Sequence, residues 1–202
     1  MLVVLALQRA DHADVIHEIP QLREEIAHHG AALAAGAELI NDVTGLEGDP
    51  EMIGVALETG AGVCAMHMQG TPQTMQDDPQ YENVIEEISE YLAARRNSLV
   101  AAGIAPERIC LDPGIGFGKR SAENLAILRN LTLFHGFGCR TLLGASRKGF
   151  GAKTQALAPR DRLPTSLAAA VSAAAQGFRM LRVHDVAETK LALEIWRRIT
   201  EN

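Results

Sequence analysis

Positive charge is in the minority: 19 lysines and arginines stand against 25 aspartates and glutamates, a formal net charge of −6. Without a basic footprint, a nucleic-acid partner has no electrostatic support. Long apolar runs are missing as well. No stretch reaches the roughly 18 apolar residues of a membrane span. Met1-Leu2-Val3-Val4-Leu5-Ala6-Leu7 lacks the basic flank and cleavage site of a secretory leader. The expectation is a cytoplasmic protein with no membrane partner. Cysteine is sparse: Cys64, Cys110 and Cys139 are odd in number, widely spaced and each set in an apolar run. Buried free thiols in a reducing compartment fit that pattern better than disulfides or a metal site. There is no internal repeat, and the alanines of 167–175 are the single biased segment, suited to a helix packed closely on strands. What remains is ordinary for a soluble globular chain: 202 residues, 47% apolar and 22% charged, enough for one core and no obvious second domain.

In order, short strand-like runs alternate with longer helical ones. Val3 to Leu7 reads as a strand or as the start of a helix. Residues 11–35 read as helix, kinked near Pro20 and closed by Gly36. His12, His17, His28 and His29 keep no consistent helical spacing there and read as surface. Residues 37–42 form a strand with polar ends. Asp49-Pro50 is a cap followed by proline, and Gly60 stops the short helix after it. Residues 62–67 are the next strand, and 68–82 a long polar loop of the kind that carries function. A helix spans about Asn83 to Ala102, with Val84, Ile85, Ile88, Leu92, Leu99 and Val100 on one face. Glutamates and Arg95-Arg96 fill the other.

A strand then ends at Asp112, and Pro113 and Gly114 turn the chain. Gly116 and Gly118 flank Phe117, so Phe117 and Lys119 read as facing solvent, and Ser121 offers a cap for a helix over 122–131. A strand over 140–145, a loop over 146–164, the alanine-rich helix and a strand over 180–184 follow. Asp185 and Glu188 make a capping box for the last helix. Repeated β–loop–α units predict a parallel sheet with helical crossovers.

Polar residues collect at the carboxyl ends of these strands: Asn41, His67, Asp112, Ser146, Arg147, Lys148, Arg182 and His184. Barrel enzymes place their active sites on that face. Arg182 and His184 are two apart in a strand and share a side, a pair suited to phosphate or pyrophosphate. Asp112 with Asn41 suits a flat heterocycle with an amidine-like edge, because a carboxylate accepts two parallel N–H bonds. Each has a plainer reading. Asp112 could only tie down its own loop, Arg182 could pair with Asp185, His184 could cap a loop, and Lys148 could be a solvated charge. Met66 and Met68 read more readily as packing than as ligand contacts.

Five motifs in order resemble the dihydropteroate synthase family of pterin-binding barrels. They are Leu39-Ile40-Asn41-Asp42-Val43-Thr44-Gly45, Met66-His67-Met68-Gln69-Gly70-Thr71-Pro72, the stretch from Leu111 to Lys119, Gly144-Ala145-Ser146-Arg147-Lys148, and Arg182-Val183-His184-Asp185-Val186. The resemblance covers residues 31–202, with 1–30 divergent, and makes the chain a single pterin-binding domain. It implies a TIM-barrel-like (β/α)8 fold, incomplete at about six βα units and short of the barrel norm of about 250 residues.

The implied activity joins p-aminobenzoate to 6-hydroxymethyl-7,8-dihydropterin diphosphate and releases pyrophosphate, in folate synthesis. Asp112 and Asn41 would hold the pterin edge, with Met66 on its face and Lys148 on its ring heteroatoms. Arg182 and His184 would take the diphosphate with Mg²⁺, which enters through the substrate. Gly116, Phe117, Gly144 and Ser146 complete the implied contacts, with Phe117, Lys148 and the Ser146 region at the aminobenzoate border. Lys148, Arg182 and His184 are the implied catalytic groups, and a homodimer the implied assembly.

The family's Asn-x-Thr-Pro-Asp-Ser-Phe and Ser-Thr-Arg-Pro motifs are absent, Asp11 is the nearest counterpart to its third-strand aspartate, and Gly149 stands where a serine is common. Pterin recognition is thus better represented than complete catalysis. A non-catalytic pterin-binding relative or truncated accessory protein is the alternative. A methyltetrahydrofolate methyltransferase is disfavoured by the Ser-Arg-Lys and Arg-x-His motifs. Missing strands would leave open sheet edges, which predicts self-association or poor solubility.

Overall fold

The computed structural model describes residues 3–6, 33, 37–150 and 152–201. Six strands, β1 (Val3–Ala6), β2 (Leu39–Asp42), β3 (Gly62–Met66), β4 (Ile109–Asp112), β5 (Arg140–Leu143) and β6 (Met180–Val183), form one sheet. Its order is β1-β6-β5-β4-β3-β2, and every pairing is parallel. The crossovers carry helices α1 (Met52–Thr59), α2 (Val84–Ala101), α3 (Ser121–Arg129), the single turn α4 (Ala152–Gln155) and α5 (Leu163–Ala175). Helix α6 (Val186–Thr200) closes the series.

Period-two alternation sorts the strand residues between two faces. Ile40, Val63, Ala65, Ile109, Leu111, Leu143, Leu181 and Val183 point to the helices and belong to the main core. The intervening positions, Cys64, Cys110, Leu142, Leu39 and Met180, pack together on the concave side. Asn41, Met66, Asp112 and Arg182 share their parity. The sheet is strongly curled. β2 and β6 are four strand spacings apart, about 19 Å in a flat sheet. Yet Arg182 on β6 donates to Asn41 Oδ1 on β2 at 2.6 Å. Cys110 Sγ on β4 likewise lies 3.7 Å from Met180 Sδ on β6, with β5 between them. The result is part of a barrel. Among the described residues β1 pairs only with β6 and β2 only with β3, so both edges stay open.

Several local expectations hold. Gly60 ends α1 in the left-handed region, and Asn83 caps α2 by accepting from the Ile85 and Glu86 amides. Others are corrected. Arg95 is 7% exposed rather than on the polar face; it donates to the Leu46 carbonyl at 2.8 Å and to that of Gly45, securing the loop after β2. Ser121 is the first residue of α3 and not its cap; its hydroxyl accepts from Gln155 Nε2. Asp49 accepts from the Glu51 amide one turn ahead of α1. Asp185 makes no capping bond, because Arg147 takes its carboxylate. The expected helix over 11–35, apart from residue 33, lies outside the described residues, as do Gly36, Asp11 and the four early histidines.

Candidate active site

Strand ends bring the polar residues together because the sheet curls. Asp112 is 1% exposed at the end of β4, in register with Met66 on β3. Its Oδ1 accepts from the Gly114 amide at 2.8 Å, and its Oδ2 faces Arg182 Nη2 at 3.9 Å. The carboxylate therefore ties its own turn and also faces the arginine. Each carboxylate oxygen has a second lone pair, so acceptor capacity remains. Asn41 Oδ1 is taken by Arg182 Nη1, and among the described residues the Asn41 amide hydrogens are the carboxamide's remaining donors. Arg182 joins the carboxylate and the carboxamide and keeps further N–H groups of its own. It does not pair with Asp185.

Bare backbone makes room for the cations. A Cβ on Gly144 would sit 2.8 Å from Arg182 Nη2, and one on Gly116 would sit 3.2 Å from Lys148 Cδ. Lys148 is half-buried and donates from Nζ to the Ile115 carbonyl at 2.5 Å; the same atom stands 4.2 Å above the Phe117 ring, a cation–π contact. Burial pushes Lys148 down to about 7, against the pull of Asp112. It is no freely solvated charge.

Ser146 is buried and fixes His184 through two contacts, accepting from the His184 amide at 3.2 Å and lying 3.1 Å from Nδ1. Burial first, and then the charge of Arg147, lower the His184 pKa. Arg147 adopts a left-handed φ of 58° and grips Asp185 with two bonds, Nη2 to Oδ1 at 2.5 Å and Nε to Oδ2 at 3.1 Å. That ion pair locks the β5 loop to the end of β6. Met66 is 2% exposed and closes the floor beside Gly114.

Two residues read as solvent-facing are placed differently. Phe117 is half-buried under Lys148, and Lys119 is 3% exposed. Lys119 Nζ lies 2.9 Å from His67 Nδ1, an interaction to which no sequence pattern pointed. The polar loop 68–82 also docks on the glycine turn: Gln76 donates to the Gly116 carbonyl at 2.8 Å and Tyr81 to that of Gly118 at 2.7 Å.

Burial, and next the charge of Lys119, hold the His67 imidazole down to about 3. In an unfolded chain it takes a proton near 6.5. Between those values the unfolded state binds the extra proton, so stability falls as pH drops from 6.5 toward 3. His67 should account for about 2 kcal/mol of lost stability by pH 5. Urea unfolding of the native chain and His67→Gln from pH 7 to 4.5 measures the difference; parallel curves would refute it.

The family model described as "Pterin binding enzyme" matches residues 10–184. The chain is similar to the dihydropteroate synthase of Escherichia coli strain K12, 44% identical over 160 residues, covering 79% of this chain and 56% of that one. It is 40% identical over 184 residues to the dihydropteroate synthase of Neisseria meningitidis serogroup B, covering 89% and 65%. Among solved structures it resembles the Yersinia pestis dihydropteroate synthase in complex with a sulfonamide drug. The TM-score is 0.82 at 40% identity, over 88% of this chain and 64% of that one. The chain thus spans 56–65% of the length of these curated relatives.

Proposed function

The chain belongs to the pterin binding enzyme family, and from that footing we propose that its strand-end cluster binds a dihydropterin diphosphate and condenses it with p-aminobenzoate, releasing pyrophosphate. The observation that carries this reading is the cluster in which Arg182 is hydrogen-bonded to Asn41 and ion-paired with Asp112. Asp112 offers acceptors and Asn41 donors, the complement of a pterin's amidine and carbonyl edge. Met66 lies beneath the ring, and Lys148 reaches its heteroatoms.

The rest of the proposal concerns charge. As the C–O bond to the hydroxymethyl carbon breaks, negative charge gathers on the departing diphosphate. Arg182, already oriented by two partners, and His184, held by Ser146, stabilise it without reorganising. The nucleophile is an aromatic amine, unprotonated at neutral pH, so no strong base is needed. Phe117 and Ser146 border its approach. Mg²⁺ would arrive on the diphosphate. Among the described residues no group of three His, Cys, Asp or Glu is placed to hold a metal ion.

A homodimer and a cytoplasmic location belong to the same proposal. Leu191, Ile195 and Ile199 recur every fourth residue on α6 and are 60%, 45% and 77% exposed, a stripe that a second copy could cover. Three free thiols favour a reducing compartment. No described helix is long and apolar enough to cross a membrane.

Calorimetry with a pterin analogue, followed by assay of product with Mg²⁺ and p-aminobenzoate, tests the function; sedimentation of the same sample tests the dimer. Expected are pterin binding, turnover and a two-chain species at micromolar concentration. No pterin binding would sink the reading. Binding without turnover would leave a pterin-binding relative, and a single-chain species would end the dimer proposal.

A further inference from the structure

One buried amine joins both loops of the site. Lys119 Nζ donates to the Gly114 carbonyl at 3.0 Å, the Phe117 carbonyl at 2.9 Å and the His67 carbonyl at 3.3 Å, and lies 2.9 Å from His67 Nδ1. Two of those carbonyls bracket the turn that carries Gly116; the third belongs to the residue just past β3. Asn124 clasps the turn from the other side, accepting from the Gly116 amide at 2.7 Å and donating to the Lys119 carbonyl at 3.0 Å. Tyr91 packs edge-on against the His67 ring, centroids 5.0 Å apart, so the imidazole has no freedom to follow a moving turn.

An apolar side chain of the same length would leave three carbonyls and an imidazole nitrogen without this donor in a water-excluded space. The Gly114 carbonyl would keep the Phe117 amide at 3.1 Å, but the Phe117 and His67 carbonyls and the imidazole nitrogen would lose their donor, and the turn would rearrange until they found partners. What the turn positions is specific. Its Ile115 carbonyl anchors Lys148 Nζ, and its Phe117 ring lies under that ammonium. Asp112, by contrast, sits on β4, which pairs with β3 at Met66, and meets the turn only through its Oδ1 bond to the Gly114 amide.

We infer that Lys119 is a positioning residue: its amine holds the glycine turn in the shape that places Phe117 for the aminobenzoate and steadies Lys148, which also reaches the pterin, while the strand-borne pterin contacts of Asn41, Asp112 and Arg182 stand without it. The substrate names rest on the function proposed above; the effect on the turn does not.

The test uses the full chain and Lys119→Met. Hydrogen exchange is read over the peptide 113–119, and calorimetry gives the affinity for a pterin analogue and then for p-aminobenzoate on the pterin- and pyrophosphate-loaded protein. Expected are at least tenfold faster exchange in the turn, unchanged exchange in β4, pterin affinity no more than about fivefold weaker, the part that Lys148 carries, and aminobenzoate affinity at least thirtyfold weaker. A merely structural role would weaken both affinities by the same factor, and that result overturns the inference. So does native-like exchange in the turn. If Lys119→Met does not fold, Lys119→Gln, which keeps one donor, is read the same way; failure of both to fold would make Lys119 a stability residue and also overturns it. If the native chain binds no pterin, the proposed function fails, while the exchange data still decide what Lys119 does to the turn.

Discussion

Asp112→Asn should weaken pterin binding by about 1.5–3 kcal/mol, the worth of one hydrogen bond to a charged group. The substitution keeps shape and volume. An asparagine oxygen can still accept from the Gly114 amide, as Oδ1 does now at 2.8 Å, so the turn survives. Two things are lost. The negative charge 3.9 Å from Arg182 disappears, and one acceptor becomes an N–H donor facing the donors of the pterin edge. Because Arg182 keeps its 2.6 Å bond to Asn41, the fold should change little. Calorimetry of the two proteins, both checked for cooperative unfolding, reads the effect. Equal affinities would take Asp112 out of the site.

Gly114→Ala should be the most damaging single methyl in the glycine turn. Gly114 has φ of 71°, and a Cβ there would stand 1.9 Å from the His67 carbonyl oxygen. That oxygen belongs to backbone already fixed on both sides: the His67 amide donates to the Asp112 carbonyl at 3.0 Å, and the carbonyl itself accepts from Lys119. It cannot retreat without breaking the junction of β3 and β4. A loss on the order of 3–5 kcal/mol is expected, conformational strain plus displacement of the neighbouring strand. Gly138→Ala is the control. It has a similar φ of 66° but open space around the position, so it carries the strain alone, about 1–2 kcal/mol. Denaturant midpoints for both variants separate the two contributions; a Gly114→Ala midpoint no lower than that of Gly138→Ala would show that the clash is relieved cheaply.

Much of the site was legible from the chain. Asn41, Asp112, Arg182 and His184 fall at strand ends, and strand ends of a parallel sheet lie on one rim. Parity then put Asn41, Met66, Asp112 and Arg182 on the concave face. What sequence spacing could not supply was depth. Lys119 follows a glycine and carries a charge, features of an exposed turn, and is buried because three backbone carbonyls surround its amine. Arg95 lies among polar neighbours on its helix and is buried for the same reason, over the carbonyls of Gly45 and Leu46. Asp185 and Glu188 had the spacing of a capping box, but a bidentate guanidinium outcompeted a backbone amide for the carboxylate.

Local chemistry alone therefore determined the order of β2 to β6 and of the longer helices between them, since these depend on apolar periodicity, turn residues and motifs within a few positions, whereas the single turn α4 lies inside an expected loop. Which long side chains are buried, and which partners they take, was decided by the curl of the sheet and the packing of its loops. A hydrogen bond such as that from Arg182 to Asn41 joins residues 141 positions apart. Such a contact exists only once distant strands share a concave surface, because its geometry is a property of the folded sheet and not of either segment.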